Sequence, residues 1–280
     1  MAGRGLPAEL VLFRAIPGPL GAGKPMEVSA AGERDLPEQF ELAAEGYLGE
    51  VADRVRLAGL SVRTVVERGP AAEAIVDYAE KMEIEQIIMA THGYSGIKRW
   101  THGSVAERVL QAASVPVLMV RAQEKKAETS QQLMLCRRIL VPLDGSEIAE
   151  QVLAPVRSLA RAVSAEVLLF QVAVDLPAAT LGNEWGLLPV PGEFAKEEQE
   201  AQAYLESVAA SFREEGIQVF TATDMGPVAT TIIDYAAANH VDLVAMCTHG
   251  RTGLARWAFG SVADKVLRAG STPILLVRAR

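Results

Sequence analysis

The chain has 280 residues, half of them apolar, and its 35 acidic and 27 basic residues give a formal net charge of −8 at pH 7. This composition supports a sizeable buried core, excludes a largely disordered chain and disfavours nucleic acid as a partner. Two cysteines, Cys136 and Cys247, cannot form a disulfide framework. With neither a signal-peptide pattern nor an apolar run long enough to span a membrane, we expect a soluble, cytoplasmic protein without a membrane partner.

The same sequence pattern occurs twice along the chain, at a constant offset of 157 residues. The repeated segments are Gly69–Pro70 and Gly226–Pro227, Asp77–Ala79 and Asp234–Ala236, Thr91–Gly93 and Thr248–Gly250, and Gly103–Ala106 and Gly260–Ala263. A repeat of this length indicates two homologous domains in tandem. We predict a first repeat over residues 1–123, a polar linker over 124–136 and a second repeat over 137–280.

In the first repeat, Met1 aligns with Ser158, so nothing corresponds to Arg137–Arg157. The first repeat is therefore expected to lack the first strand and most of the first helix. A chain that starts downstream of its true initiation site would look the same, and the sequence leaves this alternative open.

In the second repeat, short apolar runs alternate with amphipathic segments. The predicted elements are strand Ile139–Leu143, helix Glu147–Ser164, strand Glu166–Val174, helix Glu193–Glu215, strand Gln218–Thr223, helix Val228–Asn239, strand Leu243–Met246, helix Ser261–Ala269 and strand Ile274–Val277. This alternation predicts an α/β fold with a parallel sheet covered by helices on both faces.

The segment Met246–Val262 joins a predicted strand to a predicted helix, where ligands bind in such sheets. Gly250 allows the backbone to approach a ligand, and Gly260 with Ser261, as the expected N-cap, opens a helix whose free amides attract an anion. Arg251 adds a charge-assisted contact. The pattern predicts a phosphate cradle.

Three nearby side chains have simpler interpretations. Asp144 ends the first strand of the second repeat, and on the residues alone it fits a turn or N-cap residue as well as a ligand contact. For His249 we favour loop packing over catalysis, and for Cys247 a small buried apolar role over redox chemistry.

The spacing from Gly250 over nine residues to Gly260 and Ser261, preceded by Thr248 and His249, resembles the ATP-binding signature of the universal stress protein family. The segments Val141–Ser146 and Pro273–Val277 extend the resemblance. It implies two tandem, doubly wound, Rossmann-like parallel five-stranded sheets of strand order 3-2-1-4-5. The ligand implied is ATP, with Mg²⁺, over the carboxyl ends of strands one and four.

The same resemblance implies a role for each site residue. Asp144 would lie by the ribose and the metal-bound phosphates, Val172 would touch adenine, and Met246 would line the base pocket. The remaining cofactor-binding residues implied are Pro142, Cys247, His249, Gly250, Arg251, Gly260, Ser261 and Val262. The first repeat has no counterpart of Pro142 or Asp144, so it is expected to bind ATP poorly or not at all.

These features predict an ATP-binding factor in stress tolerance or regulation, with no assigned catalytic residue and at most slow ATP hydrolysis. The alternative is a nucleotide-free interaction or dimerisation module of the same fold. It is motivated by Cys247 and Ala90, which stand where the family pattern has glycine. The two repeats are expected to pair through Pro116–Val120 and Pro273–Val277, because apolar edge strands tend to pair, and a further homodimer stays open.

Overall fold

A computed structural model of the chain describes residues 9–18, 36–90, 104–120, 136–175, 195–249 and 260–279. The chain divides into two compact units. The first comprises Met1–Ile84 with Ser104–Ala112, and the second comprises Glu85–Gly103 with Ala113–Arg280. The units differ from the sequence repeats because strands of both repeats share one sheet.

The first repeat contributes four strands and three helices within the described ranges. They are β1 (Glu9–Ile16), α1 (Leu36–Leu57), β2 (Ser61–Arg68), α2 (Ala71–Lys81), β3 (Ile87–Ala90), α3 (Ser104–Ala112) and β4 (Val117–Val120). β1 and β2 form a parallel two-stranded sheet in the first unit. Phe13 of β1 packs against Tyr78 of α2, with the ring centroids 5.1 Å apart.

The second repeat alternates strands and helices, as its sequence predicts. Its elements are β5 (Arg138–Pro142), α4 (Glu147–Glu150), α5 (Leu153–Val163), β6 (Glu166–Asp175), α6 (Ala195–Glu214), β7 (Val219–Gly226), α7 (Val228–Ala238), β8 (Leu243–Cys247), α8 (Ser261–Ala269) and β9 (Ile274–Val277). The predicted α/β class is confirmed.

A seven-stranded sheet in the second unit has the order β3-β4-β9-β8-β5-β6-β7. Neighbouring strands within the second repeat are all parallel to one another, and counted within the repeat their order is 3-2-1-4-5. β4 runs antiparallel to β9, with Leu118 opposite Leu275. This antiparallel pair joins strands of both repeats in one sheet.

The resemblance implies one sheet for each repeat, with the first strand missing in the first repeat, but the four strands of the first repeat are divided between two sheets. β1 and β2 form one sheet, whereas β3 and β4 belong to the other. In the second repeat, β5 lies between β6 and β8 and pairs with both. The described residues of the first repeat contain no counterpart of β5, so no strand there connects β1 with β3.

Helices cover both faces of the second repeat's strands. Leu169 of β6 points into a buried apolar cluster that includes Leu205 and Phe212 of α6. Its neighbour Phe170 points to the opposite face, because side chains alternate along a strand, and stacks on Tyr235 of α7 at 4.3 Å between ring centroids. The sheet is therefore doubly wound in this repeat.

One predicted helix is divided in the structure. The sequence predicts a single helix over Glu147–Ser164, but α4 ends at Glu150 and α5 begins at Leu153. Pro155 has no amide hydrogen to give to a carbonyl four residues earlier. In the intervening turn, the amide of Val152 instead bonds to the carbonyl of Ala149, three residues back. The proline thus accounts for the division of the predicted helix into α4 and α5.

Candidate functional site

A cavity of about 700 Å³ opens at the carboxyl ends of β5, β6 and β8. β5 lies between the other two strands. α5 and α6 pack on one face of the sheet, and α7, which packs with α8, lies on the other face. Ligands bind in open α/β sheets at such a point, where the connections diverge to opposite faces. The volume lies within the usual range for small-molecule sites.

Most residues of the predicted site meet around this cavity. The lining includes Pro142, Asp144, Val172, Met246, Cys247, His249, Gly260, Ser261 and Val262. Gly250 and Arg251, the two other predicted residues, lie outside the described residues. The fold thus brings together nine positions that extend over 121 residue numbers from Pro142 to Val262.

Asp144 is held in place by the turn that follows β5. Its Oδ1 accepts hydrogen bonds from the backbone amide of Ser146 at 3.0 Å and from the Ser146 hydroxyl at 2.6 Å. The same hydroxyl oxygen accepts the amide of Ala149 at 3.2 Å and caps α4. Asp144 is therefore a turn residue whose carboxylate also lines the cavity, and the two interpretations left open by the sequence are compatible.

The first turn of α8 lies beside the end of β8, which flanks β5 on the side away from β6. Gly260, not Ser261, is the N-cap residue, which corrects the sequence prediction. The Gly260 amide donates to the Thr248 carbonyl at 2.8 Å, and a Cβ at this position would lie 3.1 Å from the same oxygen. The backbone contact leaves little room for a side chain, and no side chain caps α8. The amides of a helix's first turn lack intrahelical partners and carry partial positive charge, so this helix start favours a negative charge nearby.

Cys247 is buried at the end of β8, with its Sγ 3.5 Å from the Ala149 carbonyl oxygen. Burial raises the pKa of this thiol to about 11, and the negative charge of Asp144 acts in the same direction. The thiol is therefore protonated near neutral pH and makes a poor nucleophile. These properties agree with the predicted small, buried, apolar role.

His249 follows β8 and is half-buried at the cavity. Its Nδ1 lies 3.1 Å from the hydroxyl of Thr248, a buried residue whose amide donates to the Val277 carbonyl at 2.9 Å. The histidine is thus anchored to the end of β9 through its neighbour. This packing agrees with the structural interpretation of His249.

One wall of the cavity was not predicted from the sequence. It is formed by α6 through Glu197, Glu200, Ala201 and Tyr204, and the Tyr204 hydroxyl donates to a carboxylate oxygen of Glu150 at 2.9 Å. The four α6 positions share one helix face, at i, i+3, i+4 and i+7. That periodicity is visible in the sequence, but it does not indicate which strand ends the helix covers.

Gln171, in the carboxyl-terminal half of β6, also lines the cavity and was not predicted. Its Oε1 exposes less than 1 Å² and has no hydrogen-bond partner. Buried polar atoms are rarely left in this state in folded proteins.

Two further findings concern metal sites and membrane-spanning helices. Among the residues that the structure describes, no cluster of three or more His, Cys, Asp or Glu side chains could hold a metal ion. No described helix is long and apolar enough to cross a membrane.

In the first repeat, Ala90 ends β3, while Gly93 and Gly103 fall outside the described ranges.

Comparisons with known proteins agree with the two-repeat architecture. A universal stress protein of Methanocaldococcus jannaschii is 32% identical over 146 residues, covering 51% of this chain and 83% of that protein. One from Mycolicibacterium smegmatis is 23% identical over 257 residues, covering 91% and 80%. The crystal structure of a universal stress protein from Archaeoglobus fulgidus aligns with a TM-score of 0.65 at 20% identity, over 97% of this chain and 86% of that chain.

The family assignment follows from both halves of the chain. A sequence profile of the universal stress protein family matches residues 1–121 and again residues 136–278. The resemblance seen in the sequence motifs is thereby confirmed. The chain belongs to the universal stress protein family, of which it carries two tandem domains.

Proposed function

We propose that the second repeat binds ATP with Mg²⁺ in the strand-end cavity, and that the chain acts as a nucleotide-responsive factor in stress tolerance or regulation. The observation that carries this proposal is the meeting of nine predicted site residues around one cavity of about 700 Å³. Family membership supports it, since the spacing of Gly250, Gly260 and Ser261 resembles that family's ATP-binding signature.

The phosphates would lie at the first turn of α8. The amides of Ser261 and Val262 belong to a helix start that no side chain caps, and the helix dipole favours negative charge there. Glycine suits position 260 because a Cβ there would lie 3.1 Å from the Thr248 carbonyl oxygen.

The base would lie toward β6 and α7. Val172 and Met246 line this part of the cavity, together with Val228 and Ile232 at the start of α7. An apolar surface of this kind suits the faces of an aromatic base.

Magnesium would enter with the nucleotide. Asp144 supplies one oriented carboxylate, and the described residues offer no cluster able to form a complete metal cage. Mg²⁺ commonly binds through one or two carboxylates together with substrate phosphates, so the donor set fits the ion. Since Glu197 and Glu200 also line the cavity, the cation would reduce their repulsion of the phosphates.

The first test is to denature freshly purified protein and identify any released nucleotide by chromatography and mass spectrometry. We expect one ATP per chain, or, from a nucleotide-free preparation, a rise in Tm on addition of Mg-ATP, because a ligand of the native state stabilises it. If the protein releases no nucleotide and its Tm does not rise at millimolar Mg-ATP, ATP binding is contradicted and the nucleotide-free interaction module is favoured.

Two variants test the site itself. Asp144→Ala removes a charged contact, and Gly260→Val disturbs the first turn of α8 by crowding the Thr248 carbonyl. Each is expected to weaken Mg-ATP binding roughly ten- to hundredfold. Asp224→Ala is the matched control, because this exposed carboxylate lies on β7 and does not line the cavity. Equal affinities of all three variants and the wild type would place ATP elsewhere.

We also propose that the two repeats pair in solution through β4 and β9, as single-domain copies would pair in a dimer. The antiparallel ladder from Val117 opposite Leu276 to Met119 opposite Ile274 supports this arrangement. Leu275 is buried and Leu118 packs against the same apolar cluster, so the contact buries apolar surface as well as backbone hydrogen bonds.

A further inference from the structure

The edge of β1 that faces away from β2 has no strand partner among the described residues. β1 pairs with β2 alone, whereas β6, its counterpart in the second repeat, pairs with β7 on one edge and with β5 on the other. At the repeat offset of 157 residues, Glu9–Phe13 of β1 correspond to Glu166–Phe170 of β6, the residues that pair with β5. The second repeat therefore shows what kind of segment covers this edge.

The backbone groups at the β1 edge can be assigned from the same comparison. Alternate residues of β6 bond toward β5, as the Phe170 carbonyl does when it accepts the Leu143 amide at 2.8 Å. Phe13 is the counterpart of Phe170, and Val11, two residues earlier, has the same orientation. Ile16 has the opposite orientation, and its carbonyl accepts the amide of the residue after β2 at 3.0 Å. The amides and carbonyls of Val11 and Phe13 thus point away from β2.

The side chains of β1 are those of a strand covered on both edges. Leu10–Phe13 are four consecutive apolar residues, and all four are partly exposed. Their counterparts in β6, Val167–Phe170, are 0–9% exposed. Strands at the edge of a sheet usually carry charged side chains that prevent further pairing, and β2 carries Arg63, Glu67 and Arg68. The apolar part of β1 has no such protection.

The neighbouring helix α1 is uncovered on the same side. Tyr47 corresponds to Tyr204 of α6, whose hydroxyl bonds to Glu150 of α4, the short helix that follows β5. Tyr47 is 44% exposed, and the Arg14 guanidinium carbon of β1 lies 5.2 Å from its ring centroid. Phe40, two helical turns earlier on α1, is 55% exposed. The uncovered surface therefore continues from the β1 edge onto α1.

We infer that the β1 edge is a docking site for an extended segment of a separate polypeptide, which adds as a strand parallel to β1 in the position that β5 has beside β6. The inference is independent of nucleotide binding. Main-chain hydrogen bonds supply affinity in this mode of recognition, and side chains at alternate positions supply specificity.

The register of β5 gives the chemistry of the docked segment. Arg138 stands opposite Glu166 and forms an ion pair with it, and the other residues of β5 are apolar. Glu9 corresponds to Glu166, so the segment has a basic residue opposite Glu9, followed by four apolar residues. Glu9 is half-exposed and its contact with Arg63 is long, at 3.6 Å, so a second basic group can reach it.

The test uses the full chain and, as the probe, a fluorescently labelled peptide with the sequence of residues 137–146, RRILVPLDGS. Fluorescence anisotropy is expected to show saturable binding of one peptide per chain. Val11→Pro removes an amide at the uncovered edge and leaves the ladder to β2 in place, so it should weaken binding roughly tenfold or more. The peptide should also raise the Tm of the wild type, because it binds the native state.

Thr64→Pro is the matched control. Thr64 is exposed on β2, and because Gly69 directs its amide toward β1, Thr64, five residues earlier, directs its own amide to the outer edge of the sheet. The proline therefore burdens the same two-stranded sheet but leaves the β1 edge unchanged. This variant should bind the peptide as tightly as the wild type does.

The ion pair gives a second, milder test. Glu9→Gln should weaken binding of the peptide roughly two- to fivefold, the effect of one exposed ion pair. The same substitution should not change the affinity for a peptide in which Arg138→Gln has removed the basic partner. Should Val11→Pro fail to fold, this comparison carries the test alone.

Three results would overturn the inference. They are the absence of saturable binding, equal affinities of Val11→Pro and Thr64→Pro for the peptide, and a loss of affinity in Glu9→Gln that is the same for both peptides. Light scattering covers the remaining occupant of the edge. If the chain alone is a dimer that Val11→Pro dissociates, a second copy covers the β1 edge, and docking of a separate segment is wrong.

Discussion

Leu118 of β4 and Leu275 of β9 stand directly opposite each other, and they occupy the same position in the two repeats. On either side, Val117 faces Leu276 and Met119 faces Ile274. At the repeat offset of 157 residues, each of these pairs is the reciprocal of the other. Such self-complementary pairing has the local symmetry of a two-fold dimer interface.

This register leads to a crosslinking prediction. Opposite residues of an antiparallel ladder have Cα atoms roughly 4.5–5.5 Å apart, a separation that a disulfide can bridge. The double variant Leu118→Cys, Leu275→Cys is therefore expected to form a disulfide within one chain on mild oxidation. Mass spectrometry of peptides from the monomer band checks the linkage.

The control pair is Leu118→Cys with Val277→Cys, which lies two residues out of register. Diagonal positions of this kind are about 7–8 Å apart, too far for an unstrained disulfide. Equal crosslinking of both pairs, or crosslinking only between chains, would contradict the proposed pairing of the repeats.

Gly226, at the end of β7, is predicted to be sensitive to substitution. Its φ of +147° disfavours other residues, and a Cβ would lie 2.7 Å from the Thr231 hydroxyl oxygen, which bonds to the Pro227 carbonyl at 3.1 Å. Gly226→Ala should therefore lower the free energy of unfolding by about 2–4 kcal/mol, from strain together with a disturbed hydrogen bond. Urea denaturation measures the change.

The contribution of the hydroxyl can be separated with a double-mutant cycle. In a Thr231→Ala background the colliding oxygen is absent, so Gly226→Ala should cost about 1 kcal/mol less than in the wild type. Additive effects of the two substitutions would mean that backbone strain alone makes Gly226 necessary.

Both thiols are predicted to react slowly in the folded protein. Burial, together with the smaller effect of a nearby carboxylate, raises the pKa of Cys136 and of Cys247 to about 11; the carboxylates are Asp242 and Asp144 respectively. At pH 8 about one thiol in a thousand would be ionised, against roughly a quarter of unperturbed thiols. Alkylation followed by mass spectrometry should be at least tenfold slower in native than in urea-unfolded protein. Equal rates would contradict the pKa shift.

The same shift makes stability depend on pH in the alkaline range. Between about pH 9 and pH 11, the thiols of the unfolded chain lose protons while those of the folded chain keep them. The folded state then binds more protons, so the free energy of unfolding is expected to fall with rising pH in this window. Cys136→Ala should reduce the slope measured by denaturation.

Much of the site could be predicted because its residues follow local rules. A short apolar strand followed by Asp144, or a glycine before a helix as at Gly260, is encoded by neighbours in the chain. The repeat also shows the same residue pattern a second time, at an offset of 157 residues. Local rules also have limits: spacing alone placed the N-cap at Ser261, whereas the contact between Gly260 and the Thr248 carbonyl places it one residue earlier.

The sequence by itself determined the α/β class, the tandem repeat and the family, because hydrophobic periodicity and motif spacing depend on short stretches of chain. Only the tertiary structure decided that α6 closes the cavity, that Gln171 carries a buried oxygen without a hydrogen-bond partner, and that β3 and β4 lie in a different sheet from β1 and β2. These features depend on which strand edges and helix faces meet in space. Such contacts join residues far apart in the chain and leave no periodic signal in it.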